Sequence, residues 1–154
     1  MDIADRDTAM KKGPKLLIVE DDKDLLEVLE EHFTKAGFEV VTSSDGDKAM
    51  EIINSNPPEV LLADVMIPGY DGWDLTKMVR RSPYDSIKQM PVILMSSRNT
   101  MVDIAHGLKL GATAYICKPL EVEGIVFKVQ QVLENLTSQY SHHAIGHEHF
   151  SFRP

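Results

Sequence analysis

Lys15-Leu16-Leu17-Ile18-Val19-Glu20-Asp21-Asp22 decides the fold of this chain. Leu16 to Val19 is an unbroken apolar run, the pattern of a strand buried on both faces rather than on alternate residues. Three acids follow it at once. Asp22 suits the N-cap of a helix that carries Leu25, Leu26, Leu29 and Phe33 on one side and stops at Ala36-Gly37. Capping does not account for Glu20 and Asp21. Consecutive carboxylates beyond a buried strand repel one another unless a cation sits there, and a hard divalent ion such as Mg2+ suits oxygen donors. Mn2+ suits the same donors.

Working outward, the same alternation repeats. Phe38–Thr42 reads as a second strand and Ala49–Asn54 as a second helix, closed by Pro57-Pro58. Val60–Ala63 is a third strand. Gly72–Arg81 is a third helix with Leu75, Met78 and Val79 as its apolar stripe. Pro91–Met95 is a fourth strand. Thr100-Met101-Val102-Asp103 resembles a capping box with Asp in place of Glu, opening a fourth helix that runs to Leu110 and ends at Gly111. Ala114–Cys117 is a fifth strand, and Ile125, Val129, Val132, Leu133 and Leu136 recur at helical spacing in a fifth helix. This (βα)5 order predicts an α/β fold: a doubly wound parallel sheet with helices on both faces. Residues 1–14 read as a flexible leader ending at Gly13-Pro14, 15–136 as one domain, and 137–154 as a tail rich in Ser and His.

Composition narrows the function. The chain has 154 residues, 43% of them hydrophobic, enough for an ordinary core. Its net charge of −8 opposes direct nucleic-acid binding, which needs a basic footprint. No apolar stretch approaches the roughly 18 residues of a membrane helix. Met1 to Lys12 has no hydrophobic segment of the secretory kind. Cys117 is the only cysteine. A cytoplasmic protein is expected.

Each polar cluster follows an apolar strand, and in a parallel sheet the carboxyl ends of all strands share one edge, where ligand sites form. Glu20, Asp21, Asp64, Ser96 and Lys118 are therefore expected to converge. Asp64 is followed by Val65-Met66-Ile67-Pro68, which starts no helix, so capping is not its role. The tight Pro68–Gly72 loop leaves the Met66 backbone carbonyl free to ligate a metal. Ser96 alone fits a turn as well as a site. Lys118 alone fits the surface, yet beyond Tyr115-Ile116-Cys117 it emerges at the carboxylate edge. A cis bond to Pro119 would aim it inward. A lone Asp beside a metal, with Lys and Ser nearby, is equipped to accept a phosphoryl group. Tyr115 suits a core as readily as a switch, and Trp73 and the methionines suit packing. His32 and His106 lie in helices without ligand partners. Among the tail residues His142, His143, His147 and His149, only His143 and His147 have i, i+4 spacing, and Gly146 interrupts them. A partner-docking or disordered tail is expected there rather than a metal site.

Residues 15–136 resemble a response-regulator receiver domain of two-component signalling. The resemblance rests on Leu16-Leu17-Ile18-Val19-Glu20-Asp21-Asp22, on Leu62-Ala63-Asp64-Val65-Met66-Ile67-Pro68 with Asp71-Gly72, on Pro91-Val92-Ile93-Leu94-Met95-Ser96-Ser97, and on Gly111-Ala112-Thr113-Ala114-Tyr115-Ile116-Cys117-Lys118-Pro119. It implies a flavodoxin-like strand order 2-1-3-4-5. It implies Asp64 as phosphoacceptor, Glu20 and Asp21 as metal acids, Ser96 as switch hydroxyl, Tyr115 as rotating aromatic and Lys118 as the phosphate-pairing lysine. Glu20-Asp21 replaces the frequent Asp-Asp, and Ser96 stands where Thr is frequent. The donor implied is a histidine kinase or histidine phosphotransfer protein. The output implied is a protein contact through the fourth helix, fifth strand and fifth helix, with no direct nucleic-acid or membrane partner. Residues 137–154 are too few for an output domain, so a stand-alone receiver is expected, against a receiver cut from a longer regulator. A degenerate receiver used only for docking is disfavoured because every site residue is present. Metal-dependent phosphohydrolases with an Asp nucleophile need a second acid two residues on, where this chain has Met66. A phosphoacceptor rather than an enzyme is expected.

Overall fold

The computed structural model describes residues 13–145. Five parallel strands form one sheet: β1 (Lys15–Val19), β2 (Glu39–Ser43), β3 (Val60–Asp64), β4 (Val92–Ser96) and β5 (Ala114–Cys117), in the order 2-1-3-4-5. Helices α1 (Lys23–Lys35), α2 (Gly46–Ser55), α3 (Gly72–Arg80), α4 (Asp85–Lys88), α5 (Met101–Leu110) and α6 (Val122–Ile145) connect and cover it. The expected doubly wound α/β architecture and strand order are those observed.

The apolar runs explain the two-sided burial. Leu17 and Val19 face one core with Leu61 and Ala63, covered by α2 and α3. Leu16 and Ile18 face the other with Val60 and Leu62, covered by α1 and α6. Successive strand residues point to opposite faces, so a strand between two helix layers has no polar side. All four of Leu16 to Val19 are fully buried. Truncating such a leucine to alanine costs about 2–5 kcal/mol.

Caps fall where the side-chain chemistry predicts. Asp22 accepts from the Asp24 and Leu25 amides. Thr100 and Asp103 close a reciprocal capping box on α5, which ends at Gly111 with φ 117°. Several details differ from expectation, among them β2, which spans Glu39–Ser43 rather than Phe38–Thr42. Helix α2 begins at Gly46, not Ala49, because Asp45 caps it through the Lys48 amide ahead of the apolar stripe. The one-turn α4 was not expected; it buries Ile87. Strands β3 and β4 each run one residue further, taking in Asp64 and Ser96, because Asp64 pairs with Met95 and Ser96 with Cys117. Helix α6 continues past Leu136 to Ile145; this stretch lacks Gly and Pro, and neither loss of apolar periodicity nor moderate propensity stops a helix already nucleated. The leader residues before Gly13, and His147 and His149, lie outside the described residues. Among the described residues no helix is long and apolar enough to cross a membrane.

Candidate functional site

The carboxyl ends of β1, β3, β4 and β5 place Glu20, Asp64, Ser96 and Lys118 along one sheet edge. Asp64, the last residue of β3, is buried. Its Oδ1 accepts from the Met66 amide at 2.8 Å, and its Oδ2 accepts from Lys118 Nζ. Glu20 is more deeply buried, 1% exposed. Its Oε1 accepts from the same Lys118 Nζ at 2.7 Å and its Oε2 from the Asp22 amide at 3.2 Å. One ammonium thus bridges two carboxylates that are remote in sequence. The Lys118–Pro119 peptide is cis.

Close approach of α3 to this corner depends on Gly72. A Cβ there would meet the Asp64 carbonyl oxygen and Val65 Cα at 2.7 Å each, and the Gly72 amide donates to the Val65 carbonyl at 2.9 Å. Asp71 and Asp74 form a capping box on the same turn.

The charges are incompletely balanced. Burial raises the Glu20 pKa, outweighing hydrogen bonds from Lys118 and the Asp22 amide that favour the anion. Burial also opposes the Lys118 cation, but its bonds to Asp64 and Glu20 prevail and raise its pKa. Glu20, Asp64 and Lys118 sum to one excess negative charge when all are ionised, before the exposed Asp21 is counted.

The structure brings Glu20, Asp64 and Lys118 together, and it leaves Asp21 apart at the surface. Among the described residues, no three His, Cys, Asp or Glu side chains are gathered closely enough to hold a metal. The convergence expected of three carboxylates is in this respect two carboxylates closed on a lysine. The donor chemistry nonetheless fits a hard cation. Two buried carboxylates share one ammonium, a third carboxylate is adjacent in sequence, and the Met66 carbonyl accepts no hydrogen bond among the described residues. Oxygen donors of this kind suit Mg2+.

Ser96 is fully buried, and its Oγ accepts from the Arg98 amide at 3.0 Å. Tyr115 donates from its hydroxyl to the Arg98 carbonyl. Burial raises the Tyr115 pKa, against the lowering effect of the Ser96 hydroxyl. Three further residues, Trp73, His106 and Arg98, connect to Tyr115. Trp73 packs edge-on against His106, ring centroids 4.7 Å apart, and lies 6.2 Å from the Tyr115 ring. Arg98 pairs with Asp103 at 3.2 Å. His106 is thus an aromatic contact, in keeping with the structural role expected of it.

A family model described as the response regulator receiver domain matches residues 16–130. The transcriptional regulatory protein AfsQ1 of Streptomyces coelicolor is 32% identical over 120 residues, covering 78% of this chain and 51% of the relative. The chain therefore spans about half the length of that curated relative. A candidate response regulator from Chloroflexus aurantiacus is 35% identical with a TM-score of 0.73, covering 80% of this chain and 99% of the other. The chemotaxis response regulator CheY4 of Vibrio cholerae is 26% identical with a TM-score of 0.72, covering 77% and 98%.

Proposed function

Because this chain belongs to the response-regulator receiver family, for which phosphorylation and Mg2+ binding are general properties, we propose that Asp64 is its phosphoacceptor. The observation that carries this is the buried Asp64 carboxylate held by the Met66 amide on one oxygen and Lys118 on the other. An Asp64 oxygen forms the new bond to phosphorus as the bond to the donor's histidine nitrogen breaks. Lys118 then exchanges a carboxylate for a phosphoryl oxygen, and Ser96 donates its hydroxyl to another. Glu20, Asp21, Asp64 and the Met66 carbonyl are the residues that would hold Mg2+, with Mn2+ as a substitute. Mg2+, when bound, offsets the negative charge of the phosphoryl oxygens.

The family is a signalling domain rather than a canonical enzyme class, and the chemistry assigned here is limited to gaining and losing this phosphoryl group. The donor is a histidine kinase or histidine phosphotransfer protein. The target is a protein that docks on the face of α5, β5 and α6. We place the protein in the cytoplasm, with residues 15–136 as the receiver unit, 1–14 as a leader and 137–154 as a flanking segment that α6 enters. A second reading, a receiver within a longer regulator, is favoured by the 51% coverage of the Streptomyces relative; the length of the natural reading frame separates the two.

The test is intact-mass measurement after incubation with acetyl phosphate. Wild type should gain one phosphoryl group only when Mg2+ is present. Equal labelling of Asp64→Asn would sink the assignment. Met66 is 57% exposed and apolar, and Arg98 is engaged by Asp103, so neither orients a hydrolytic water. The phosphorylated state should decay slowly after donor removal, and Met66→Asn with Arg98→Glu should speed its loss.

A further inference from the structure

Arg98 touches every moving part of the proposed switch. Its amide donates to Ser96 Oγ at 3.0 Å, and its carbonyl accepts from the Tyr115 hydroxyl. Its guanidinium reaches Asp103 Oδ1, at 3.2 Å from Nη2 and 3.4 Å from Nε. Asp103 is in turn held by Thr100, whose Oγ1 donates to Oδ2 at 2.8 Å and accepts from the Asp103 amide at 3.1 Å. The residue whose backbone meets Ser96 and Tyr115 is thereby bonded through its own side chain to the first turn of α5. That turn carries Met101 and Val102, 87% and 78% exposed, the most exposed large apolar side chains among the described residues.

We infer that Arg98 is a positioning residue that carries the phosphorylation state of Asp64 to the first turn of α5 through its ion pair with Asp103. The inference rests on the phosphoacceptor reading of Asp64. A serine hydroxyl has one donor and two acceptor lone pairs. Ser96 can therefore donate to a phosphoryl oxygen without releasing the Arg98 amide, and its movement toward Asp64 pulls that peptide. Without the side-chain link, the exposed Asn99 is free to absorb the displacement by backbone rotation. With it, the pull reaches the capping box and displaces Met101 and Val102, an apolar contact surface for a protein partner. An ion pair with one partner exposed in this way contributes little to stability. Its value lies in direction: a bond from a mobile loop to a helix terminus couples two elements that each have their own bonds.

Trp73 is the only tryptophan, and it reads out the far side of α5. It packs on His106, and a Cβ on Gly107 would lie 2.9 Å from its Cζ3. The experiment compares wild type, Arg98→Ala and Arg98→Lys with acetyl phosphate and Mg2+. Phosphoryl stoichiometry at Asp64 is measured by intact mass, alongside Trp73 emission and hydrogen exchange of the Met101–Ile104 amides on the same samples. Arg98→Ala should label to the wild-type level while its emission change and its exchange change fall by at least half. Arg98→Lys, which keeps the charge, should restore most of both. Equal labelling with undiminished responses in Arg98→Ala, or no rescue by Arg98→Lys, overturns the coupling role alone. Failure of wild type to label at Asp64 overturns the phosphoacceptor reading and this inference with it.

Discussion

Lys118 and Arg80 are half-buried cations at opposite edges of the same sheet, and they differ in what they hold. Lys118 follows β5 and bridges two carboxylates, Glu20 and Asp64. Arg80, at the end of α3, reaches the segments that enter β4 and β5. Its guanidinium donates to the carbonyls of Gly111 (2.8 Å), Lys88 (2.9 Å) and Met90 (2.6 Å) and to Thr113 Oγ1 (3.3 Å). Burial lowers its pKa. All its partners are neutral, and several are carbonyls that a helix end leaves unpaired. A planar fork with fixed donors suits such a cluster, and no diffusible ligand resembles it. Lys118 is a compact point charge among anions, so a metal or a phosphoryl group competes directly for the same contacts. The charge of the partners separates a brace from an exchangeable member of a site.

That contrast is open to breaking. The largest effect should come from Arg80→Met, which strands three part-buried acceptors and one exposed one and should cost about 2–4 kcal/mol. Mg2+ should return none of it, and denaturant unfolding with and without the ion measures both. Next is Lys118→Met. It leaves Glu20 and Asp64 without a counter-charge and should cost about 1–3 kcal/mol in metal-free buffer. Here Mg2+ should recover most of the loss, because the ion takes over the role of the ammonium. A metal response equal in the two variants would erase the distinction drawn between the two edges.

Asp21→Ala should be milder still. Asp21 is exposed, so stability without metal should stay within about 0.5 kcal/mol of wild type. Its rise in Tm with Mg2+ should shrink greatly, and an undiminished rise would remove Asp21 from the metal set. The smallest effect concerns Arg98, which is exposed and has a single carboxylate partner. The Thr100 hydroxyl, then the Thr100 amide and Arg98, hold the Asp103 carboxyl below the usual range. A depressed folded pKa contributes stability above the unfolded value and loses it as pH falls through the folded value. Acid unfolding of Asp103→Asn should therefore lose a small part of its pH dependence below about pH 4, and an unchanged acid profile would show that the pair has no linkage to folding.

Much of this was legible from local patterns. Leu16 to Val19 announced a strand buried on both faces because four successive apolar residues admit no solvent side. Asp22, Thr100 with Asp103, and Gly111 announced helix ends because their side chains, or the lack of one, satisfy orphan backbone groups within a turn. The strand ends of a parallel sheet carried Glu20, Asp64 and Lys118 to one edge, and the resemblance supplied their roles. Beyond one-residue shifts of strand and helix ends, helical features escaped. The start of α2 at Asp45 lay ahead of its apolar stripe, the single turn of α4 was too short to show a period, and α6 outlasted its own amphipathic pattern.

The division follows sequence range. Strand burial, caps and the βα alternation depend on neighbours within a few residues, so the amino-acid order is sufficient to specify them. The Lys118 ammonium meets Glu20 across 98 positions and Asp64 across 54, and Arg80 meets Thr113 across 33. Such distances are closed by strand register and by the packing of helices on the sheet. Which carboxylate stays exposed, which carbonyls a guanidinium collects and which loop residue grips α5 are settled there, because a side chain's partners depend on where the folded backbone sets its Cα.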